Sequence, residues 1–328
     1  MLCRRHLVCR GLLALIMPML TTVAEAQSAA GSYPGRPVRL VVGFAPGGGN
    51  DIVARLLADK LSKSLGQPVI VENKPGAGGA VAAAFVKAQP ADGYTLLVGA
   101  SGAMVIGPAV GTPVAYDSIL DFEPISILGT FPLVLSVNAE SPHKTLADLV
   151  AWSKANPSIA NYASASPTFT LATELLKLKT GASLQRVTYR SSNDAVLAIL
   201  ANQVTTAMTD PLPAIPLLRD RKLRALAVTS ASRLAELPDA PTMAEAGIDG
   251  AEAEFWTGLF APKNTPRDIV SRIELEVKAA MQDRDVRERL HSLATEATSC
   301  SPAEFTERIR TELKAWGSVA KAANVTVE

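Results

Sequence analysis

The fold of this chain is decided by the stretch VRLVVGFAPGGGND at residues 38–51. Residues 38–44 are mostly apolar and rich in β-branched side chains without alternation, which predicts a strand covered on both faces. The proline and three glycines that follow predict a tight turn whose backbone can take positive φ angles and come close to a ligand. Asn50 fits the N-cap of the next helix, with Asp51 in its first turn. The stretch therefore predicts a strand, a glycine-rich turn and a helix start.

A turn of this kind points unpaired backbone N–H groups toward the carboxyl end of its strand. Such groups, together with the positive end of the helix dipole, suit a bound anion. The stretch thus predicts a small-anion site at the glycine turn. The alternative is a tight strand-to-helix turn that binds no ligand.

The first 26 residues have the features of a cleavable signal peptide. They combine a basic region, an apolar run and a small-x-small cleavage site, which are Arg4, Arg5 and Arg10, residues 11–20, and Ala24-Glu25-Ala26. The apolar run is too short to span a bilayer stably, and no later run reaches the length of a membrane helix. We therefore expect an exported, soluble protein that is cleaved near Ala26.

Composition excludes several classes of protein. Loss of the signal peptide removes three arginines and one glutamate, so the formal net charge goes from +1 to −1. A near-neutral chain offers no bulk field for nucleic acid or a membrane surface. Cys3 and Cys9 leave with the signal peptide, so Cys300 alone supports neither an intramolecular disulfide nor a cysteine-rich metal site. No cofactor and no metal ion are predicted.

Alternating strand and helix patterns predict an open, mainly parallel sheet in the first part of the chain. Helical periodicity at residues 51–65 and 80–89 alternates with strand-like runs at 68–73 and 94–99. Units of this length form right-handed crossovers, and ligands on such sheets bind beyond the carboxyl ends of the strands. The candidate site loops are therefore residues 45–51, 74–79 and 100–103. In the last of them, Ser101 and Gly102 could line the same cleft as the glycine turn, or Ser101 could cap a helix.

A second α/β series follows the first. Residues 122–137 predict strands that carry the chain into a second domain, and residues 224–229 could carry it back. The loops of this series follow strands, precede helices, and are rich in serine and threonine but poor in ionisable pairs. Trp256 could line a cleft or fill the core, and the core is the favoured interpretation.

Catalytic motifs are missing from the sequence. The glycine turn lacks the Lys-Ser/Thr ending of a nucleotide-binding P-loop and the spacing of a dinucleotide fingerprint. No nucleophile elbow or zinc-protease motif appears. His143 and His291 are both predicted to be exposed, and Asp51 and Asp210 could form an acid/base pair but are better interpreted as capping or water-holding carboxylates. We predict no catalytic residues and no enzyme, with an exported hydrolase or isomerase as the less favoured alternative.

Several motifs together resemble one protein family. They are YPGRPVRLVV (residues 33–42), FAPGG with Asp51 (44–48), VENKPGAGG (71–79), DGYTLL (92–97), KLRALAVTS (222–230) and LFAP (259–262). In this order they closely resemble the Bug-type solute-binding proteins, the extracytoplasmic receptors of the tripartite tricarboxylate transporter group. The resemblance covers almost the whole mature chain.

The resemblance implies an α/β fold, a two-lobed periplasmic binding protein of type II or Venus-flytrap form. Each lobe would be a mainly parallel sheet flanked by helices. Lobe 1 would comprise residues 27–131 and 230–328, and lobe 2 residues 132–229. The protein would be a periplasmic monomer, and its lobes would close on a small carboxylate such as a di- or tricarboxylate, an amino acid or an aromatic acid.

The resemblance also implies a set of ligand-binding residues. In the family, one carboxylate is held largely through ordered waters and backbone groups of the first strand–helix loop. Carried over, that loop contributes Phe44, Ala45, Gly47, Gly48 and Asp51. The opposing lobe would contribute Ser164, Ser166, Thr168, Tyr189, Arg190 and Asp210. Arg190 could pair a second carboxylate through two hydrogen bonds, or it could be a solvated loop arginine.

This chain departs from the family in loops that face the ligand. Residues 100–104 lack the polar form of the loop, Phe169 and Thr170 stand where Ser-His is frequent, and Ser191 and Ser192 replace glycines. The identity of the carboxylate is therefore left open. The function implied is an extracytoplasmic receptor that delivers its solute to a membrane permease, and the alternative is a receptor that serves a signalling partner.

Overall fold

The computed structural model describes residues 33–325. The predicted signal peptide therefore lies outside the described residues. The described part contains strands in chain order as follows: β1 (Val38–Val42), β2 (Val69–Asn73), β3 (Thr95–Ala100), β4 (Phe122–Phe131), β5 (Val134–Asn138), β6 (Asn161–Ser164), β7 (Gln185–Thr188), β8 (Thr206–Thr209), β9 (Leu223–Val228), β10 (Phe255–Pro262) and β11 (Glu296–Ala297).

Helices follow most of these strands and cover the sheets. They are α1 (Gly49–Leu65), α2 (Ala80–Lys87), α3 (Gly107–Ala109), α4 (Leu146–Ala155), α5 (Pro167–Thr180), α6 (Ser192–Leu200), α7 (Pro211–Arg219), α8 (Arg267–Gln282), α9 (Arg284–His291) and α10 (Pro302–Ala322). A 3₁₀ turn at Ala77–Gly79 leads into α2, and a π-helical turn at Gly102–Ile106 leads into α3. Among the helices of residues 33–325, none combines the length and apolar character needed to cross a bilayer.

The strands form two mixed sheets. The first has the order β11-β4-β10-β3-β1-β2, and the second has the order β7-β6-β8-β5-β9. In the first sheet β1 pairs in parallel with β2 and β3, whereas β10 pairs antiparallel with β3 and β4. In the second sheet β6 pairs in parallel with β7 and β8, whereas β5 pairs antiparallel with β8 and β9.

Most strands of each sheet still run one way. Because β10 is antiparallel to both of its neighbours, β4 runs in the direction of β1, β2 and β3. By the same reasoning β9 runs in the direction of β6, β7 and β8. The α/β prediction with two helix-flanked sheets is confirmed, and the strands that run the other way are β10 and β11 in the first sheet and β5 in the second.

The first strand is buried on both faces, as its sequence predicts. Val41 packs with α2 in one apolar cluster, whereas Leu40 and Val42 pack with α1 and α8 in another. These three side chains are 0 % exposed. Burial of such a side chain is worth roughly 1.5–3 kcal/mol relative to leaving it in water. The carboxyl end of β1, and with it the glycine turn, is thus held in place by core packing on both sides.

Two local predictions are wrong. Asn50 is not the N-cap of α1, because the helix begins at Gly49 and Gly48 occupies the capping position. The Asn50 side chain instead accepts a hydrogen bond from the Thr257 hydroxyl at 2.6 Å. His143 is only 6 % exposed and packs against Trp152 with 4.7 Å between ring centroids, so burial lowers the pKa of its imidazole. His291 is exposed and Trp256 lies in the core, as predicted.

Candidate functional site

The glycine turn after β1 ends with free backbone donors. Gly47 takes a φ of +85°, a conformation that glycine adopts without strain. Within the described residues, the N–H groups of Gly49, Asn50 and Asp51 have no hydrogen-bond partner, and the helix ladder begins with Ile52 donating to the Gly48 carbonyl at 3.0 Å. These donors stand at the positive end of a 17-residue helix. The turn therefore has the electrostatics of an anion site.

The Asp51 carboxylate holds the glycine turn in shape through hydrogen bonds. One carboxylate oxygen accepts from the Gly47 N–H at 2.9 Å and from Arg55 Nε at 2.8 Å, and the other accepts from Asn73 Nδ2 at 2.8 Å. Burial raises the pKa of this carboxyl, but the hydrogen bonds from Arg55, Gly47 and Asn73 outweigh it, so the pKa lies below its usual range. Asp51 is 1 % exposed. Its geometry is that of a carboxylate that positions the turn.

The loops after β1, β2 and β3 pack against one another. A Cβ on Gly43 would lie 2.5 Å from the Gly79 Cα, so only glycine fits where these two backbones meet. A Cβ on Gly79 would lie 3.2 Å from the Ala103 Cβ and 3.4 Å from the Phe44 ring. The Phe44 side chain therefore packs between loops, while Ala45 is exposed beside it.

In the loop after β3, residues 100–103, Ser101 is buried and Gly102 lies next to the second sheet. Ser101 is 2 % exposed, and its hydroxyl oxygen accepts from the Trp256 N–H at 3.3 Å. A Cβ on Gly102 would lie 3.0 Å from the Thr168 hydroxyl oxygen, which belongs to the start of α5. Gly102 and Thr168 are thus a point where loops of the two sheets touch.

Hydroxyl groups gather where β6 passes into α5. The Ser164 and Thr170 hydroxyls lie 2.8 Å apart, and Ser164 also donates to the Ser166 carbonyl at 3.1 Å. Ser166 is the N-cap of α5 and accepts from the Phe169 N–H at 3.4 Å. Ser164 and Thr168 are buried, while Ser166 is half-buried. The loop is therefore neutral and internally ordered, with the first turn of α5 at its end.

Tyr189 and Arg190 follow the edge strand β7. The Tyr189 N–H donates to the Ser164 carbonyl at 2.9 Å, which fixes this loop beside the start of α5. Tyr189 is half-buried and Arg190 is exposed. Among residues 33–325, Arg190 makes no ion pair or hydrogen bond, and its side chain lines a groove of about 540 Å³ that continues along α6 past Asp194 and Leu197.

Asp210 occupies the N-cap position of α7 and contacts the start of α6. The Ser192 hydroxyl donates to a carboxylate oxygen of Asp210 at 2.5 Å. Ser191 caps α6 by accepting from the Asp194 N–H at 3.1 Å. Burial raises the pKa of Asp210 above its usual range, although the hydrogen bond from Ser192 opposes that effect. Asp210 is hydrogen-bonded to Ser192 and Asp51 to its own turn, so the two acids do not pair.

The structure places the predicted site residues in two groups of loops, which meet where Gly102 approaches Thr168. The glycine turn and Gly102 belong to one group, and the loops that begin α5, α6 and α7 belong to the other. The sequence interpretation gave no site role to Asn73 and named Thr170 and Ser192 only as departures from the family. These three side chains bond to Asp51, Ser164 and Asp210. A polar residue at the end of a predicted strand was the signal for Asn73. Within the described part of the chain, no group of three or more His, Cys, Asp or Glu could hold a metal ion.

The family profile that matches this chain and the solved structures similar to it indicate one kind of protein. The sequence profile of the tripartite tricarboxylate transporter family receptors matches residues 53–325. A solved Rhodopseudomonas palustris protein with adipate is similar at a TM-score of 0.82 and 33% identity, and the match covers 90% of this chain and 99% of that one. MatC from Rhodopseudomonas palustris, with bound malate, is similar at 0.79 and 32% identity over 88% and 99% of the two chains. The periplasmic binding protein BugD is similar at 0.80 and 31% identity over 90% and 100%.

Proposed function

The chain belongs to the family of tripartite tricarboxylate transporter receptors, and we propose that it binds a small carboxylate between its two sheets. The observation that carries this proposal is the set of free N–H groups of Gly49, Asn50 and Asp51 at the start of α1. Preorganised neutral donors of this kind are sufficient to hold a carboxylate. Adipate and malate are bound by similar proteins, which supports a ligand of this class.

The proposed site assigns two kinds of role to the first group of loops. The backbone of Ala45, Gly47 and Gly48 lies against the ligand, directly or through water. Phe44 and Asp51 keep the turn in shape, since one packs on Gly79 and the other bonds across the turn. Ser101 and Gly102 form the wall next to the turn, with Ser101 acting through its bond to the Trp256 backbone.

The second group of loops would close on the same ligand. Ser164, Ser166 and Thr168 present the start of α5, and Thr168 lies next to Gly102. Tyr189 and Arg190 stand at the rim, and Asp210 lies under the starts of α6 and α7. The loops offer hydroxyls and helix ends rather than a dense set of charges. Such a surface suits a polar anion that keeps part of its water shell.

The proposed receptor has two lobes that close around the solute. Lobe 1 comprises residues 27–131 and 230–328, and lobe 2 comprises residues 132–229. These boundaries agree with the strands of the two sheets, since β5 to β9 fall within lobe 2. After export to the periplasm and cleavage near Ala26, the protein acts as a monomer and delivers its solute to a membrane permease. Closure would present a surface made of both lobes to that permease.

Ligand binding can be tested on the purified protein without residues 1–26. Native mass spectrometry of the fresh protein identifies any carboxylate that co-purifies. Calorimetry with adipate, malate and their neutral diamides then compares charged and uncharged ligands of the same shape. Ligand at 100 times its Kd should stabilise the folded state by about 2.7 kcal/mol. Binding of the diamides as tightly as the acids, or no binding of any carboxylate, would overturn the proposal.

A further inference from the structure

The glycine turn after β1 is exposed and has little packing of its own. Pro46 and Gly47 are exposed, and a Cβ on Gly47 or Gly49 would meet no atom within 4 Å. The backbone hydrogen bond from the Gly48 N–H to the Ala45 carbonyl is long, at 3.4 Å. Glycine-rich backbone loses much conformational entropy when it becomes ordered. The shape of the turn therefore depends on contacts from side chains around it.

Asn73, the last residue of β2, reaches the turn from the neighbouring strand. Its side-chain nitrogen donates to the Phe44 carbonyl at 2.9 Å and to the Asp51 carboxylate at 2.8 Å. Its side-chain oxygen accepts from the Arg55 guanidinium at 3.2 Å, and Arg55 also donates to Asp51 at 2.8 Å. An asparagine amide has two N–H donors and one carbonyl acceptor, so both donors of Asn73 are in use.

The two groups that accept from Asn73 lie at opposite ends of the glycine turn. Phe44 leads into the turn from β1, and Asp51 lies in the first turn of α1, beside the free N–H groups. Asn73 is itself fixed by the sheet, because it pairs with Val42 and the next residue, Lys74, donates from its N–H to the Val42 carbonyl at 2.8 Å. The ordered strand β2 thus holds both ends of the turn through one side chain.

Few other side chains could make these contacts. Aspartate has the same shape but no donor when ionised, and alanine would leave the Phe44 carbonyl and the Asp51 carboxylate without this partner. Donors that are already fixed bind a ligand more tightly than mobile ones, since the entropy of ordering them is not lost on binding. The hydrogen bonds of Asn73 therefore bear on affinity as well as on local structure.

We propose that Asn73 is a positioning residue of the carboxylate site. It holds the glycine turn in the conformation that directs the free N–H groups at the start of α1 toward the ligand, and it acts through Phe44 and Asp51 without touching the ligand. This inference rests on the proposed function and adds a residue of β2 to the site. Arg55 supports the same arrangement, because it bonds to both Asp51 and Asn73.

Calorimetry of Asn73→Ala and Asn73→Asp with adipate and malate tests the inference. Asn73→Asp keeps the shape of the side chain and removes both donors, so both variants should raise the Kd by about tenfold, as expected for the loss of one or two hydrogen bonds. Hydrogen exchange measured by NMR reports the turn without any ligand. The Gly47 N–H, which donates to Asp51 at 2.9 Å, should exchange faster in both variants than in the wild type.

Asn161→Ala is the matched control for a general loss of stability. Asn161 is also half-buried at a strand end, and its side-chain oxygen accepts from the Thr205 N–H at 2.8 Å and the Thr205 hydroxyl at 3.2 Å. It lies at the amino end of β6, whereas the site loops follow the carboxyl ends of the strands. Asn161→Ala should therefore lower the midpoint of urea unfolding but keep the wild-type Kd and the wild-type exchange of Gly47.

The possible failures can be told apart. A wild-type Kd in either Asn73 variant, an equal change of Kd in Asn73→Ala and Asn161→Ala, or unchanged exchange of the Gly47 N–H overturns the inference while leaving carboxylate binding intact. Absence of carboxylate binding by the wild type overturns the proposed function and this inference together.

Discussion

Leu133 and Thr229 are joined by a pair of hydrogen bonds at the place where the chain passes between the two sheets. The Leu133 N–H donates to the Thr229 hydroxyl oxygen at 2.8 Å, and the Thr229 N–H donates to the Leu133 carbonyl at 2.9 Å. The same hydroxyl donates to the Ala253 carbonyl at 2.6 Å, and the Ala253 N–H donates back to Thr229 at 2.9 Å. Thr229 thus ties three connecting segments together.

Replacement of Thr229 by valine should destabilise the protein. Valine keeps the shape of the side chain but leaves the buried Leu133 N–H and the Ala253 carbonyl without a partner. Each such group costs about 1–3 kcal/mol. Urea unfolding should show that loss, and ligand affinity should change as well if the segments act as a hinge. Thr229→Ser keeps the hydroxyl and should retain most of the stability, so equal losses in both variants would contradict the role of these bonds.

Replacement of Gly48 by valine should abolish binding with a modest loss of stability. Gly48 has a φ of −76°, and its Cβ would meet only the Ala45 carbonyl oxygen, at 3.5 Å. The larger side chain would instead cover the free N–H groups that begin α1. Calorimetry measures the affinity and urea unfolding the stability, with Gly48→Ala expected to have a smaller effect on binding.

The matched control for this glycine lies far from the turn. Gly317 is in α10, where a Cβ would come no closer than 3.9 Å to the Ala109 carbonyl oxygen. Gly317→Ala should leave the affinity unchanged. Unchanged affinity in Gly48→Val would remove the glycine turn from the site.

Arg190 should distinguish ligands with two carboxylates from ligands with one. It is exposed and has no ion pair or hydrogen bond in the described chain, so it is available for a second carboxylate. Exposed ion pairs contribute about 0.2–1 kcal/mol, so Arg190→Gln should weaken adipate by up to about fivefold. Hexanoate, which lacks the second carboxylate, should be unaffected.

A second arginine, outside the proposed site, serves as the control for the loss of one positive charge. Arg186 is exposed on β7, several residues before the loop. Arg186→Gln should change neither affinity. Calorimetry at low and high salt checks both variants, since an ion pair with the ligand weakens as salt rises. An equal effect of Arg190→Gln on both ligands would show that Arg190 does not contact the second carboxylate.

The sequence was informative where one local rule decides the outcome. The buried character of β1 and the glycine turn each follow from a short run of residues. The N-cap at Asn50 was wrong because a partner on β10, more than 200 residues away, competes for its side chain. The exposed position predicted for His143 was wrong because its ring packs against Trp152 of the next helix, α4.

The sequence did not reveal how the site residues are oriented, because contacts with distant parts of the chain decide their orientation. Ser101 was a candidate for the cleft, but its hydroxyl oxygen accepts from the backbone of Trp256. Nothing in a local pattern reveals which distant N–H will lack a partner. The contact between Gly102 and Thr168 likewise depends on how two sheets meet. Composition predicted neutral, hydroxyl-rich loops, and tertiary packing decides which hydroxyls are already used.

Acid should loosen the glycine turn through Asp51. Hydrogen bonds hold the pKa of this carboxyl below its usual value of 3.8, even though burial opposes them. A depressed pKa contributes stability that is present above the unfolded-state pKa and is lost as the pH falls through the folded-state pKa. Urea unfolding midpoints from neutral pH downward should therefore fall less steeply in Asp51→Asn than in the wild type. Asp59→Asn, an exposed acid on the same helix, should keep the wild-type profile, and an equal flattening by both variants would refute the assignment to Asp51.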